Sequence, residues 1–263
     1  MIRSDDLDLR LVQEAKKIAA GPLGREISKF PLRFAVAALF GQRPTSKCVS
    51  DVRNGTVCLV DLGCGPIAIT CSHVLEEYKR KLEKNEQTIF QIGDLEVEPL
   101  KKLIDESKAL DLATINLNGE NLEKIANGEE IGACFFRPVR WPPNEIKEGD
   151  FVAFGGFPGR WRQQPVRGEI VFASFSIGAC RVASVMEDHI VCQFEREYWV
   201  SSMNTRPGEE LRDLGGLSGA PVFILRDLYW ELIGIVYEFS PEFDLMYARP
   251  TKFLKEDGTI IKE

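Results

Sequence analysis

The sequence predicts an all-β protein, a barrel or sandwich, preceded by a short helical stretch. Three observations carry this. Apolar runs are many and short, with strand-like composition. Turn-forming residues separate them at regular spacing, which is the pattern of antiparallel strands and not of a parallel α/β sheet. No internal repeat or low-complexity tract interrupts that rhythm over the 263 residues, a length that allows one large domain or two small ones.

Taken in order, residues 5–19 read as an amphipathic helix. Asp5 or Asp6 caps it, Leu7, Leu11, Ala15 and Ile18 recur near helical spacing, and Gly21-Pro22 ends it. The mixed stretch Leu23 to Pro31 has room for a short second helix. Phe34 to Phe40 is an apolar run broken by Arg43-Pro44-Thr45. Thr56 to Leu62 reads as a strand, Gly63-Cys64-Gly65-Pro66 as a turn, and Ile67 to Thr70 as the returning strand. Val74 to Glu86 is charged, with Leu75, Tyr78 and Leu82 at helical spacing, which predicts a surface helix. Strands are expected at Thr88–Ile92 and Leu95–Val97, a charged excursion at Pro99–Lys108, and a strand at Leu110–Leu117. Asn118 to Gly132 is polar and turn-rich. Pro138 to Glu148, with Trp141-Pro142-Pro143, reads as a linker. Strands follow at Phe151–Phe154, Val166–Ser174, Gly178–Glu187 and Ile190–Phe194.

Composition removes several classes of function. A net charge of −7 argues against nucleic acid or an anionic membrane as the main partner. No apolar run reaches membrane-spanning length. The acidic N-terminus, Met1-Ile2-Arg3-Ser4-Asp5-Asp6, lacks the apolar core of a secretory signal, so a cytoplasmic location is expected. Seven cysteines, an odd number, are read as reduced thiols packed as small apolar residues. Cys64, Cys71 and His73 do not have a common zinc-ligand spacing and no second cysteine pair follows, so no metal is expected. Gly155 to Arg160 lacks the Lys-Ser/Thr of a phosphate-binding loop. Lys79-Arg80-Lys81 is interleaved with glutamates, as on a solvated helix face. Arg160-Trp161-Arg162 is a cationic, aromatic loop able to meet a partner or substrate, with plain exposure as the simpler reading.

One stretch concentrates chemistry: Leu214-Gly215-Gly216-Leu217-Ser218-Gly219-Ala220-Pro221-Val222. Glycines before and after a serine permit a sharp turn that presents the hydroxyl and aims successive backbone N–H groups at one point. A Gly-rich hairpin with an incidental serine is the simpler alternative. The chain has only two histidines, His73 and His189, so any serine–histidine couple uses one of them. His73 follows the strand Ile67–Thr70; His189 sits in a hairpin tip, Met186-Glu187-Asp188-His189-Ile190. Asp111 lies between His73 and Ser218 at an apolar strand, where a carboxylate is costly without a partner. The order His, Asp, Ser is one of the three known for this triad, the chymotrypsin one.

At these residues the sequence resembles a trypsin/chymotrypsin-clan serine protease, closest to the HtrA-type bacterial branch. Thr70-Cys71-Ser72-His73-Val74 resembles the histidine block and Asp111-Leu112-Ala113-Thr114-Ile115 the aspartate block. Gly149 to Pro158 resembles the strand opening the second barrel. Gly216-Leu217-Ser218-Gly219-Ala220-Pro221, then Leu232-Ile233-Gly234-Ile235-Val236, resembles the nucleophile block and the strand after it. The resemblance covers roughly residues 50 to 240; residues 1–32 have no counterpart.

The resemblance implies two six-stranded antiparallel β-barrels, one over about residues 33–137 and one over about 149–255, joined by the linker 138–148 and preceded by the helical extension 1–32. It implies a serine endopeptidase acting on polypeptide, without cofactor. His73, Asp111 and Ser218 would be catalytic, with the N–H groups of Gly216 and Ser218 as oxyanion hole. Arg212, six before the nucleophile, would lie at the base of the primary specificity pocket, with Tyr237 and Phe239 along its wall. Arginine there and a phenyl ring at the entrance predict cleavage after small or acidic residues. Leu217 replaces the aspartate with which digestive members capture a new N-terminus, so zymogen cleavage is not expected. No PDZ domain is expected after the barrels. The N-terminal helix could pack on the barrels or bind a partner protein.

Three departures support a second reading, a protease-fold module that binds peptides or a partner without turnover. Ala220 stands where most members have a second glycine. Tyr237 stands where trypsin-like members have a small serine, and Glu238-Phe239 are bulky where the cleft should be lined.

Overall fold

Strands dominate the computed structural model, which describes residues 13–42, 52–120, 122–125, 134–163, 170–194 and 214–262. In the first half, β1 (Ala35–Gln42), β2 (Arg53–Asp61), β3 (Pro66–Thr70), β4 (Thr88–Ile92), β5 (Leu95–Val97), β6 (Leu103–Ser107) and β7 (Leu112–Asn116) form one antiparallel sheet. Its seven strands run in the order β5-β4-β1-β2-β3-β7-β6. In the second half, β8 (Phe151–Gly156), β11 (Phe175–Val185), β12 (Ile190–Gln193), β13 (Pro221–Arg226), β14 (Tyr229–Ser240) and β15 (Leu245–Pro250) close into a six-stranded barrel, order β11-β12-β15-β14-β13-β8. A small ribbon, β9 (Arg162–Gln163) with β10 (Val171–Phe172), stands beside it.

The two-barrel expectation is therefore corrected in the first half: that sheet stays open, with β5 and β6 as its edges. The reason lies in what fills the gap. The helix Ser72–Lys84 lays Val74, Leu75 and Tyr78 into the same buried cluster as Phe40, Phe90 and Ile92, taking the volume that further strand pairing would enclose. The Tyr78 ring meets the Phe90 ring edge-on at 5.3 Å. At the β6 edge, the pairing with β7 slips between Leu103 and Asp105. Its acids are held from outside the sheet: Glu106 by Lys79 at 2.7 Å, and Asp105 by Lys262 at 2.6 Å and the Ile260 N–H at 3.0 Å. A bulged, charged edge covered by the chain's last residues does not accept another strand. The charged excursion expected at Pro99–Lys108 thus contains a strand, β6.

Core and seam follow from strand periodicity. On β2, Val57 and Leu59 face the core of the open sheet, while Cys58 and Val60 face a second cluster with Phe223, Leu232 and Ile235 of the barrel. Alternation places successive side chains on opposite faces, so one strand serves both the sheet's own core and the junction. At that junction Phe34, Phe136 and Phe223 meet at ring separations of 4.9–5.5 Å.

Helix covers residues 13–20 and Pro22–Lys29, with Pro22 opening the second helix where its missing N–H costs nothing. This second helix lies on β11: a side chain at Gly178 would come within 3.0 Å of the Ser28 nitrogen. Phe30 then stacks on Trp230 at 4.2 Å. The second helix is docked on the barrel, with Leu23 exposed, as is Ile18 in the helix before it. Residues 1–12, where the first helix was expected to begin, lie outside the described residues. Among the described residues no helix is long and apolar enough to cross a membrane.

Candidate active site

Strand pairing sets the first two groups side by side. β3 and β7 are antiparallel with Thr70 opposite Ala113, so the end of β3 adjoins the start of β7. His73 is in the first turn of the helix that follows β3, and Asp111 immediately precedes β7. The Asp111 carboxylate accepts from the His73 backbone N–H at 2.9 Å and pairs with His73 Nδ1 at 2.7 Å. One carboxylate therefore fixes both the backbone and the ring of His73, and it sits where a helix N-terminus offers unpaired N–H groups. Asp111 takes φ 51°, a left-handed turn conformation that Asp tolerates better than most residues. The His73 side chain is 49 % exposed and that of Asp111 22 %.

The barrel supplies the serine. Residues 214–220 form two successive turns leading into β13, closed by Leu217 N–H to Leu214 O at 3.1 Å and Ala220 N–H to Leu217 O at 2.8 Å. Gly216 (φ 101°) and Gly219 (φ 98°) are both left-handed. A Cβ at Gly219 would lie 1.8 Å from Thr56 O, so no other residue fits without moving β2. Thr56 pins the turn from the open sheet: its hydroxyl donates to Gly216 O at 2.7 Å and its N–H to Ser218 O at 2.9 Å. The same hydroxyl accepts from Phe157 N–H at 3.1 Å. The N–H groups of Gly216 and Ser218 have no hydrogen-bond partner among the described residues.

β14 is where the two halves meet. Gly219 N–H donates to Val236 O at 2.8 Å, and the buried Cys71 thiol donates to the same oxygen at 3.2 Å. Ser218 Oγ makes a long contact to Tyr237 O, 3.4 Å. Among the described residues there is no hydrogen bond between Ser218 and His73. Burial pushes the Cys71 thiol well above its ordinary range, and the Asp111 charge adds to the rise.

The remaining sequence-derived residues are distributed as follows. Tyr237 is half-buried against the core of the open sheet, with the Arg249 guanidinium 4.6 Å from its ring centre. Phe239 packs on the barrel core, edge-on to Phe194 at 5.3 Å. Arg212 lies outside the described residues. His189 pairs with its neighbour Asp188 at 2.7 Å in the β11–β12 hairpin. Asp188 is also engaged by Arg249, at 2.9 Å. Thr56 and Cys71 were not singled out for their positions around the turn; in the sequence they look like ordinary members of apolar strand runs.

No family model matches the chain, and no curated protein matches its sequence. Among solved structures, similarity extends to the active form of the Rv3671c protease from M. tuberculosis: TM-score 0.44, 14 % identity, 91 % of this chain and 81 % of that one. It extends also to the scabies mite inactivated protease paralogue S-I1: TM-score 0.44, 13 % identity, 86 % of this chain and 91 % of that one. Likeness at this level carries neither activity nor specificity to the present chain.

Proposed function

We propose that this chain is a serine endopeptidase. The observation that carries the reading is the double anchoring of His73 by Asp111, on a segment whose Cys71 shares the Val236 carbonyl with Gly219, the residue after Ser218. With Nδ1 engaged by the carboxylate, Nδ1 holds the proton and Nε2 is the base. Ser218 Oγ attacks a peptide carbonyl carbon while its proton passes to His73 Nε2. The Gly216 and Ser218 N–H groups stabilise the oxyanion. As the C–N bond breaks, Nε2 returns the proton to the leaving amine, and water then releases the acyl group by the same steps. Asp111 keeps the tautomer and stabilises the imidazolium. No cofactor enters this chemistry. Arg212, placed by resemblance at the base of the specificity pocket, would favour small or acidic side chains in the substrate, while Phe239, packed on the barrel core, is not needed for that preference.

A digest of a peptide library tests the proposal. Cleavage by the wild type that is absent in Ser218→Ala supports it, and dominant cleavage after Lys or Arg rejects the specificity part. Equal cleavage by both proteins rejects the assignment of Ser218.

The Ser218 contact with Tyr237 O, in place of one with His73, favours a second reading. In that reading the same surface binds peptide without turnover, and folded wild-type protein leaves the library intact while retaining peptides from it.

A further inference from the structure

The metal-ligating side chains outside the proposed proton relay include one beside it, Cys71. Cys71, His73 and Asp111 each offer a ligand atom, and the three atoms lie within 4.8 Å of one another. They come from the end of β3, the first turn of the helix and the turn before β7. The set is graded from inside to outside: Cys71 is buried, Asp111 partly buried and His73 exposed. An ion could therefore arrive from the His73 side and end against sulfur.

We infer that Cys71, His73 and Asp111 form an inhibitory site for a thiophilic divalent cation of the zinc class. Sulfur, imidazole nitrogen and carboxylate oxygen are the three ligand types this ion takes, at about 2.0–2.3 Å. Three protein ligands leave a fourth tetrahedral position for water. Those bond lengths place ligand atoms about 3.5 Å apart around the ion. The set, within 4.8 Å, has to close by up to roughly an ångström at its widest pair, while the Asp111 carboxylate and His73 Nδ1, now 2.7 Å apart, have to separate to admit the ion. Binding forms an S–metal bond as the Cys71 thiol gives its proton to solvent, and it ends the thiol's hydrogen bond to Val236 O. It also occupies the Asp111 carboxylate and a ring nitrogen of His73, the two groups that the proposed mechanism uses. The inhibitory part rests on that mechanism; the binding part does not.

The spacing along the chain hides this site. Cys71 and His73 are two residues apart, and Asp111 comes from another strand. Cys64, the cysteine nearest before Cys71, is exposed on the β2–β3 turn and is not part of the set.

Cobalt(II) and zinc titrations of the full chain test the inference. Wild type should bind one equivalent, with a thiolate-to-cobalt charge-transfer band and the intense visible bands of four-coordinate cobalt. Zinc, measured against a competing chromophoric chelator, should bind at least about tenfold more weakly to Cys71→Ala and to Asp111→Asn, because losing even a group that only supports a ligand costs about 10–100-fold and these two are ligands themselves. In the presence of zinc, fluorophosphonate labelling of Ser218 should be suppressed in wild type and restored in Cys71→Ala. No binding by wild type overturns the site, as does unchanged zinc affinity and an unchanged charge-transfer band in Cys71→Ala. Asp111→Asn, at a less buried position, keeps the test decisive if Cys71→Ala does not fold. Metal binding with no labelling under any condition leaves the site standing and removes the protease reading instead.

Discussion

The closed barrel and the open sheet solve the same problem in different ways. In the barrel every strand of β8 and β11 to β15 is paired on both sides, so its loops start from a ring of mutually fixed strands. The turn carrying Ser218 is such a loop, and a Cβ at Gly219 would leave only 1.8 Å to Thr56 O. The open sheet ends in β5 and β6: at β6 Lys79 holds Glu106 and Lys262 holds Asp105, while Tyr78 and Leu75 of the helix pack into the sheet's core. His73 and Asp111 sit on this half and are fixed by each other, through backbone and ring together. The difference teaches that the proposed site joins a rigid donor of the nucleophile to a relay whose own geometry comes from polar contacts. Changes in the barrel should show first as packing failure, and changes in the sheet as lost chemistry in a folded protein.

The largest effect expected is chemical. Asp111→Asn keeps the shape but offers the His73 ring an amide, which favours the wrong tautomer. Turnover should fall by about 10⁴-fold in steady-state kinetics, with little change in thermal unfolding, equivalent to roughly 5–6 kcal/mol in the barrier. A stable variant with near-normal turnover would break the comparison.

Next comes the barrel's turn. Gly219→Ala should cost more than about 3 kcal/mol in denaturant unfolding, because a left-handed conformation and a clash with Thr56 O act together. Gly63→Ala, also left-handed (φ 111°) but with nothing within 4 Å of the new Cβ, should cost only about 1–2 kcal/mol. Equal costs would show that packing at the seam does not set the turn.

Thr56→Val removes the hydroxyl that serves both Gly216 O and Phe157 N–H, at a fully buried position. A loss of about 1–3 kcal/mol is expected for the buried groups left unpaired. Turnover should fall further than stability alone explains, because Gly216 is then free to shift.

Smallest is the edge of the open sheet. Glu106→Gln keeps a hydrogen-bond acceptor for Ser72 and loses the charge pair with Lys79, whose side chain is 32 % exposed. Chemical unfolding should register under about 1 kcal/mol, and less at high salt. A cost of several kcal/mol would mean that this pair, and not the helix packing, keeps the sheet open.

The sequence carried the strands further than it carried their closure. Thr88–Ile92 and Leu95–Val97 are strands in the structure with the expected bounds, because alternating burial on a short run is a local signal. β6 was hidden because Asp105 and Glu106 look like loop residues until Lys262 and Lys79 arrive from distant parts of the chain. That the first half does not close depends on the volume of Leu75 and Tyr78 against Phe40 and Phe90, and periodicity reports a helix without saying what it displaces. At the site, the glycines around Ser218 were legible because positive φ leaves a mark on residue type. The contribution of Thr56 was not, since a threonine in an apolar strand reads as β propensity. Asp111 was expected within a strand from Leu110; β7 begins two residues later, at Leu112, and Asp111 occupies the turn before it, where its carboxylate accepts from the His73 N–H.

The central claim is that the two halves act on one substrate atom, and covalent trapping tests it most directly. A fluorophosphonate probe followed by peptide mass spectrometry should place the adduct on Ser218 in wild type. In His73→Ala, altered only in the other half, labelling should be at least about 10³-fold slower. Equal labelling rates in the two proteins, or no adduct on folded wild type, would contradict the account.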